Sequence, residues 1–200
     1  MTIATNKTLT LEEYLTYDDG TGARYELVNG VLVEMPTESP MNKTIVMFLV
    51  SYFLRLGIPY YRLAVGHQLE VTSEKASARE PDLVVHSEES AAAILQDGKL
   101  LRLGMPIPDL VVEVVSSSDT DLKSRERDYV EKRQDYSELK VPEYWIVDPV
   151  AGVVCVLTLV DGHYQERKFE GDQVLLSSKF TAVALTATQV LRAGLQKDFI

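Results

Sequence analysis

The sequence is poor in the residues from which most catalytic sites are built. It holds one cysteine, Cys155, which excludes an internal disulfide framework and any multi-cysteine zinc site, and which fits a reducing compartment. Its three histidines, His67, His86 and His163, are scattered along the chain, which argues against a histidine-based zinc site or a Ser-His-Asp triad. No Gly-rich loop ends in Gly-Lys-Ser/Thr. Gly98-Lys99-Leu100 does not qualify, and Gly20-Thr21-Gly22 lacks both the third glycine and the preceding strand of a dinucleotide site. No serine stands in a Gly-x-Ser-x-Gly elbow. The longest apolar runs, such as 45–50, are too short to span a bilayer, and the first residues carry no apolar signal core. A cytoplasmic protein without a membrane partner is therefore expected. Carboxylates, lysine and tyrosine remain to carry any chemistry.

Cations are in deficit as well. Across 200 residues, 20 Lys+Arg stand against 30 Asp+Glu, a formal net charge of −10. Phosphate backbones and anionic membrane surfaces both call for concentrated positive charge, so the balance alone counts against either partner. The remaining composition, 46% hydrophobic and 25% charged, is that of an ordinary globular protein rather than a disordered chain. The length suits a single domain over 1–200 with a sizeable core. No solenoid-period repeat and no low-complexity linker divides it.

Local signals outline the elements. Thr10-Leu11-Glu12-Glu13 reads as a capping box opening a short helix through Leu15. Tyr25 to Val28, Asn29-Gly30 and Val31 to Met35 read as a hairpin, because Asn-Gly supplies the positive φ angles of a primed turn. Ser39-Pro40 opens a helix with Ile45, Phe48, Leu49, Tyr52 and Leu56 at helical spacing and Gly57 at its end. Strands are expected at roughly Leu63 to Val71, Leu83 to His86 and Leu110 to Val115, with an irregular or partly helical insertion from Ser87 to Met105. A polar helix from about Leu122 to Leu139 follows, then a strand at Tyr144 to Val147. A second hairpin spans Val153 to Leu159 and Tyr164 to Phe169, and Thr186-Ala187-Thr188-Gln189 is another capping box. The order predicts a mixed sheet with helices packed on it, an α/β (α+β) fold.

The most informative segment is Pro108-Asp109-Leu110-Val111-Val112-Glu113-Val114-Val115. Its β-branched run marks a buried strand, and alternation places Asp109, Val111, Glu113 and Val115 on one face. A carboxylate inside such a strand is costly unless paired with a cation or a metal, so Glu113 is a site candidate, with a buried structural ion pair as the other reading. Glu80-Pro81-Asp82-Leu83-Val84-Val85 has the same look. If the two strands are neighbours, Asp82 and Glu113 converge at one sheet edge and provide the oxygen ligands that Mg²⁺ favours. Asp82 and Asp109 can equally be Pro-Asp turn residues entering strands. In the following helix Arg125, Tyr129, Lys132 and Tyr136 share a face, so Lys132 can reach the carboxylates if that face lies on the sheet. A solvated helix with a snorkelling lysine remains the alternative.

Taken in order, Arg24-Tyr25-Glu26-Leu27-Val28-Asn29-Gly30, Ser39-Pro40, Pro81-Asp82-Leu83-Val84, the strand from Pro108 to Ser116, Glu131-Lys132-Arg133 with Tyr136, and Val141-Pro142-Glu143-Tyr144-Trp145-Ile146-Val147-Asp148-Pro149 resemble the Uma-two family. These are bacterial proteins assigned as endonucleases of the PD-(D/E)XK, restriction-endonuclease-like superfamily. The resemblance covers about residues 8–190. It implies a central mixed β-sheet flanked by helices, with an N-terminal and a C-terminal hairpin. It also implies a site that hydrolyses nucleic-acid phosphodiester bonds, DNA first among them, with Mg²⁺ or Mn²⁺. Asp82 and Glu113 match the metal-holding acids, Lys132 the lysine, and Glu26 an acid of the first hairpin that would complete the cluster. The superfamily lysine usually stands two residues after the glutamate; here that place is Val115, and the lysine matches on the next helix instead. Where the family often has a histidine after the Ser-Pro helix start, this chain has Asn42. Superfamily members that cut both strands often pair, so a homodimer is a further expectation. The alternative is a catalytically degenerate nuclease fold serving as a binding or regulatory module, which Val115 and the acidic balance favour. A sugar hydrolase with paired acids would need an aromatic-lined cleft of which the sequence gives no sign.

Overall fold

The fold is that of a computed structural model, which describes residues 8–35, 39–98, 100–115 and 126–193. The first helix, α1 (Leu11–Leu15), is closed by the reciprocal cap the sequence predicts. Thr10 Oγ1 accepts from the Glu13 amide at 3.2 Å, and the Thr10 amide donates to Glu13 Oε2 at 2.9 Å. Strands β1 (Tyr25–Val28) and β2 (Val31–Glu34) form the first hairpin, with Asn29 and Gly30 at φ 50° and 81° in the turn. Helix α2 (Pro40–Arg55) begins at Ser39, whose Oγ accepts from the Asn42 amide at 3.1 Å.

Short strands follow: β3 (Leu63–Ala64), β4 (Gln68–Glu70), β5 (Ala78–Arg79) and β6 (Leu83–Val85). Then come helix α3 (Glu88–Asp97), β7 (Leu100–Leu101) and β8 (Leu110–Val114). A π-helical turn over Arg127–Glu131 leads into α4 (Lys132–Glu138). The chain continues through β9 (Glu143–Asp148), β10 (Val153–Val160), β11 (His163–Glu170) and α5 (Ala187–Leu191).

The strands form two mixed sheets. One has five strands in the order β2-β1-β5-β4-β7, and the other six in the order β11-β10-β9-β8-β6-β3. Pairing is antiparallel except for β8 with β9 and β4 with β7. The six-stranded sheet is the central one. Helix α2 covers one face, where Ile45, Leu49 and Phe53 pack against Leu83, Val85, Leu110, Val112 and Trp145. On the opposite face Val111, Val115, Tyr144 and Ile146 lie with Tyr136 of α4. Among the described residues no helix is long and apolar enough to cross a membrane.

Three expectations are refined. The strand read from Leu63 to Val71 is two strands in different sheets, because the chain turns at Gly66, where φ is +76°. The insertion from Ser87 to Met105 contains a regular helix, capped by Ser87 and ended by Gly98 at φ 81°. The N-terminal hairpin, expected alongside one central sheet, is part of a second, five-stranded sheet. The start of the polar helix, with Leu122, Lys123 and Arg125, lies outside the described residues.

Candidate active site

All five residues of β8 are buried, and alternation divides them between two faces. Leu110, Val112 and Val114 point to α2. Glu113 shares the other side with Val111 and Val115, under α4. On the neighbouring β6, Leu83 stands opposite Val112, so one further step of the antiparallel register sets Asp82 opposite Glu113. The half-buried Asp82 accepts a hydrogen bond from the Val114 amide at 2.6 Å through Oδ2, which ties it to the Glu113 strand.

Lys132 enters from the first turn of α4 with its side chain 3% exposed. Its Nζ lies 2.8 Å from Glu113 Oε1, 3.5 Å from Glu26 Oε1 and 3.5 Å from Asp128 Oδ1. Tyr136, one turn on, donates its hydroxyl to Glu113 Oε1 at 2.7 Å. Glu26 belongs to the five-stranded sheet and Glu113 to the six-stranded one, so one ammonium bridges the two sheets. The site lies where the chain crosses between them. After β5, Pro81 has no amide to continue a ladder, and Glu80-Pro81-Asp82 carries the backbone from one sheet to the other.

A second set of groups surrounds this core. The Arg79 guanidinium, 4% exposed, reaches Glu26 Oε2 at 3.4 Å through Nη1, Asp135 Oδ2 at 2.8 Å through Nε and Glu131 Oε2 at 3.4 Å through Nη2. The Glu80 amide donates to Glu26 Oε1 at 3.2 Å. Asp128 Oδ1 is buried without a hydrogen-bond partner, its cations Lys132 and Arg127 both standing at 3.5 Å. Asn42 is buried at the start of α2 and donates through Nδ2 to the carbonyls of Val114 and Val115 at 3.3 Å each. It thereby fixes the end of β8 beside the site.

These contacts set the protonation states. Burial opposes the charge of Glu26, but Lys132, Arg79 and Arg127 outweigh it and hold the carboxyl below its ordinary range. Glu113 goes the other way: burial lifts its carboxyl, and Asp128 and Glu26 add to this against the pull of Lys132. Burial also works against the Lys132 ammonium, yet Glu113, Glu26 and Asp128 prevail and keep it protonated well above its ordinary range. Burial and the nearby Glu113 raise the Tyr136 phenol well above its ordinary value.

Sequence reasoning named Glu113, Lys132, Glu26 and Asp82. The first three meet at one ammonium, and Asp82 adjoins them on the next strand. Asp109 resolves as structural: it lies at the opposite end of β8, held by Arg62 and Lys179 at 2.8 Å each. Val115 is fully buried in the core and supplies no charge. Asp128 and Arg79 were not foreseen. Asp128 precedes Lys132 by four residues, a helical spacing that could have flagged it. Arg79 sits in a strand of two residues that carries no local signal.

The donors available to a cation are oxygens only. Among the described residues no three His, Cys, Asp or Glu side chains stand in a metal-holding group. Asp82 and Glu113 on adjacent strands instead suit the mode in which Mg²⁺ takes one or two carboxylates and completes its shell with water and phosphate oxygens.

An α+β core with two mixed sheets, and a buried carboxylate–lysine cluster where they meet, places the molecule with nuclease-like folds. A crystal structure from Anabaena variabilis ATCC 29413, described as a putative nuclease belonging to DUF820, superposes with a TM-score of 0.67 at 17% identity, over 94% of this chain and 99% of that chain. The family model described as "Uma2: Putative restriction endonuclease" matches residues 11–188, and the chain belongs to that family. No curated protein matches it.

Proposed function

We propose that the protein is a divalent-metal-dependent endonuclease that hydrolyses phosphodiester bonds of nucleic acid, DNA in the first instance. The observation that carries this reading is the 2.8 Å contact between Lys132 Nζ and Glu113 Oε1. It brings a lysine to the strand glutamate from a helix, where the chain position two residues on holds only Val115. Asp82 and Glu113 would hold Mg²⁺ or Mn²⁺, which when bound lowers the pKa of a coordinated water and offsets phosphate charge.

The chain's own groups take distinct parts. Lys132 is held protonated, so it is no general base; buried against Glu113, it would act as a fixed positive charge that offsets negative charge developing beside that carboxylate. Glu26 and Arg79 anchor that ammonium from the second sheet. Tyr136 keeps its proton and orients the Glu113 carboxylate, which makes it a positioning residue. Linear, circular and single-stranded DNA and RNA, incubated with Mg²⁺, Mn²⁺ or EDTA, test the reading. Metal-dependent cleavage that Lys132→Met abolishes is the expected result. A chain that cuts none of these forms under either metal is not an endonuclease.

One observation favours a second reading, a nuclease fold retained as a binding module. Glu113 Oε1 already receives both Lys132 and Tyr136, which gives the carboxylate a structural use without a cation. Nucleic-acid binding unaffected by metal and without cleavage would select this reading.

A further inference from the structure

The Lys132 ammonium has three N–H donors, and three carboxylate oxygens stand around it: Glu113 Oε1 at 2.8 Å, Glu26 Oε1 at 3.5 Å and Asp128 Oδ1 at 3.5 Å. These oxygens differ in what else they hold. Glu113 Oε1 also accepts the Tyr136 hydroxyl at 2.7 Å, and Glu26 Oε1 also accepts the Glu80 amide at 3.2 Å. Asp128 Oδ1 accepts no hydrogen bond from the described residues, although the Asp128 side chain is only 4% exposed. Arg127 Nε lies 3.5 Å from it as well and does not donate to it. Buried carboxylate oxygens are nearly always hydrogen-bonded, because leaving one without a donor costs free energy. Asp128 Oδ1 is therefore the open acceptor of the cluster.

The local structure holds that acceptor in place. Asp128 lies in the π-helical turn, where the Lys132 amide donates to the Arg127 carbonyl five residues back. The Asp128 carbonyl accepts the hydroxyl of Tyr144, a fully buried residue of β9, at 2.9 Å. The Asp128 carboxylate thus stands on backbone tied to the central sheet, while the lysine nitrogen ends a flexible four-carbon stem. Of the two, the lysine is free to shift.

Glu113 and Asp128 compete for this one ammonium. In the protein without a bound cation it sits on Glu113, so it occupies an oxygen of the carboxylate proposed to hold Mg²⁺ or Mn²⁺. A divalent cation at Glu113 and Asp82 would tip the balance. It offsets the charge that attracts Lys132 and repels the ammonium directly, and both effects are strong in a site shielded from water. Asp128 Oδ1 is then the better acceptor. Glu26 is the weaker rival, because its oxygens already take the Glu80 amide and Arg79.

We infer that Asp128 is a positioning residue of the metal-loaded site: its Oδ1 is the second seat of the Lys132 ammonium, taken when a divalent cation occupies Glu113. The inference rests on the metal-dependent reading of this centre. Lys132 contributes its positive charge to the cluster from either seat; what changes is that Glu113 Oε1 is released to the cation. Cation binding and the Lys132–Asp128 contact are thereby coupled, and each strengthens the other.

Calorimetry with Mn²⁺ on the full chain, without nucleic acid, measures the coupling apart from cleavage. Asp128→Asn should lower Mn²⁺ affinity by about tenfold, within the range usual for coupled sites. Loss of a nearby negative charge would by itself weaken a cation site, so the decisive comparison is made in Lys132→Met. There no ammonium needs a second seat, and Asp128→Asn should lose most of its effect, whereas a purely electrostatic loss would persist undiminished. A loss that persists in Lys132→Met, or no loss in the parent, overturns the inference. A crystal structure with Mn²⁺ bound reads the movement itself and needs no variant to fold. Lys132 Nζ is expected at hydrogen-bond distance from Asp128 Oδ1 and withdrawn from Glu113 Oε1. Nζ still on Glu113 Oε1 beside the bound cation overturns the inference and leaves the metal-dependent reading standing. A chain that binds no Mn²⁺ overturns both. Coupling without cleavage of any nucleic acid leaves the two seats in place and removes the nuclease.

Discussion

Glu113 stands under opposing influences: burial, Asp128 and Glu26 disfavour its charge, and Lys132 favours it. Replacing it by glutamine keeps the shape and removes one of several crowded negative charges. Glu113→Gln should therefore unfold within about 1 kcal/mol of the parent, because the amide oxygen still accepts from Tyr136 and Lys132. Its affinity for Mn²⁺, read by calorimetry, should be lost; an unchanged affinity removes Glu113 from the ligand set. Lys132→Met is the opposite case. It withdraws the ammonium that Glu26, Glu113 and Asp128 share, and leaving buried charges without their partner costs about 3–5 kcal/mol, measurable by urea unfolding. His86 adds a pH dependence away from the site. It is fully buried, with Nδ1 at 3.0 Å from Ser90 Oγ and Nε2 at 3.1 Å from His67 Nδ1. Burial, then His67 and Arg62, lower its pKa to about 4. The unfolded chain takes up this proton near the ordinary value of ~6.5 and the folded chain does not, so the contribution is complete above that pH. It declines as pH falls toward 4, by at most about 3 kcal/mol. An NMR titration of the His86 ring should show a midpoint about 4, and one near the ordinary value would refute the assignment.

At the scale of elements, the site depends on how α4 docks across two sheets. Arg79 carries much of that docking, because its guanidinium joins Glu26 of β1 to Glu131 and Asp135 at the helix. Arg79→Met should cost about 3–5 kcal/mol in urea unfolding and, by loosening Lys132, should depress any cleavage in proportion. A stability change below about 1 kcal/mol would show that the helix docks without it. Elements with strong local chemistry were legible in the sequence. The Thr10–Glu13 box, the Asn29-Gly30 turn and the Ser39-Pro40 start appear where their side chains predict. Glu113 stood out because a charge inside a β-branched run has few explanations. What the sequence could not display depends on partners far along the chain. β5 is two residues long and exists because it pairs with β1 and β4. Splitting the strand read from Leu63 to Val71 between two sheets took knowledge of both. The π-helical turn at Arg127–Glu131 accommodates an extra residue before Lys132, and turns of this kind recur at functional sites. Tyr129 within it packs against the same sheet face as Tyr136, as its spacing predicts, and its hydroxyl donates to Asp148 Oδ2 at 3.0 Å.

For the whole molecule the acidic balance becomes a question of where cations are exposed. The helix read from about Leu122 to Leu139 carries Lys123, Arg125, Arg127, Lys132 and Arg133, the cations nearest the site in the chain. Lys123 and Arg125 lie outside the described residues. The structure removes Lys132 from the surface, buries most of Arg127, and pairs the 34%-exposed side chain of Arg133 with Glu166 at 2.7 Å. With a net charge of −10 and Arg127, Lys132 and Arg133 engaged within the fold, the described part of this helix offers few cations to displace counterions from DNA. Affinity should then come mainly from metal bridging between phosphate and the carboxylates, with little from a lysine-arginine surface. Each phosphate neutralised adds about 0.9 to the salt slope, so a protein making two or three such contacts should show a log–log slope of magnitude no greater than about 3. Fluorescence anisotropy with a duplex oligonucleotide in Ca²⁺, across a series of KCl concentrations, measures this directly. The expected outcome is weak binding with a shallow slope, strengthened by Ca²⁺ and abolished by EDTA. A steep slope that persists in EDTA would mean that DNA is held by a cationic surface independent of Asp82 and Glu113, and would dissociate binding from the carboxylate–lysine centre.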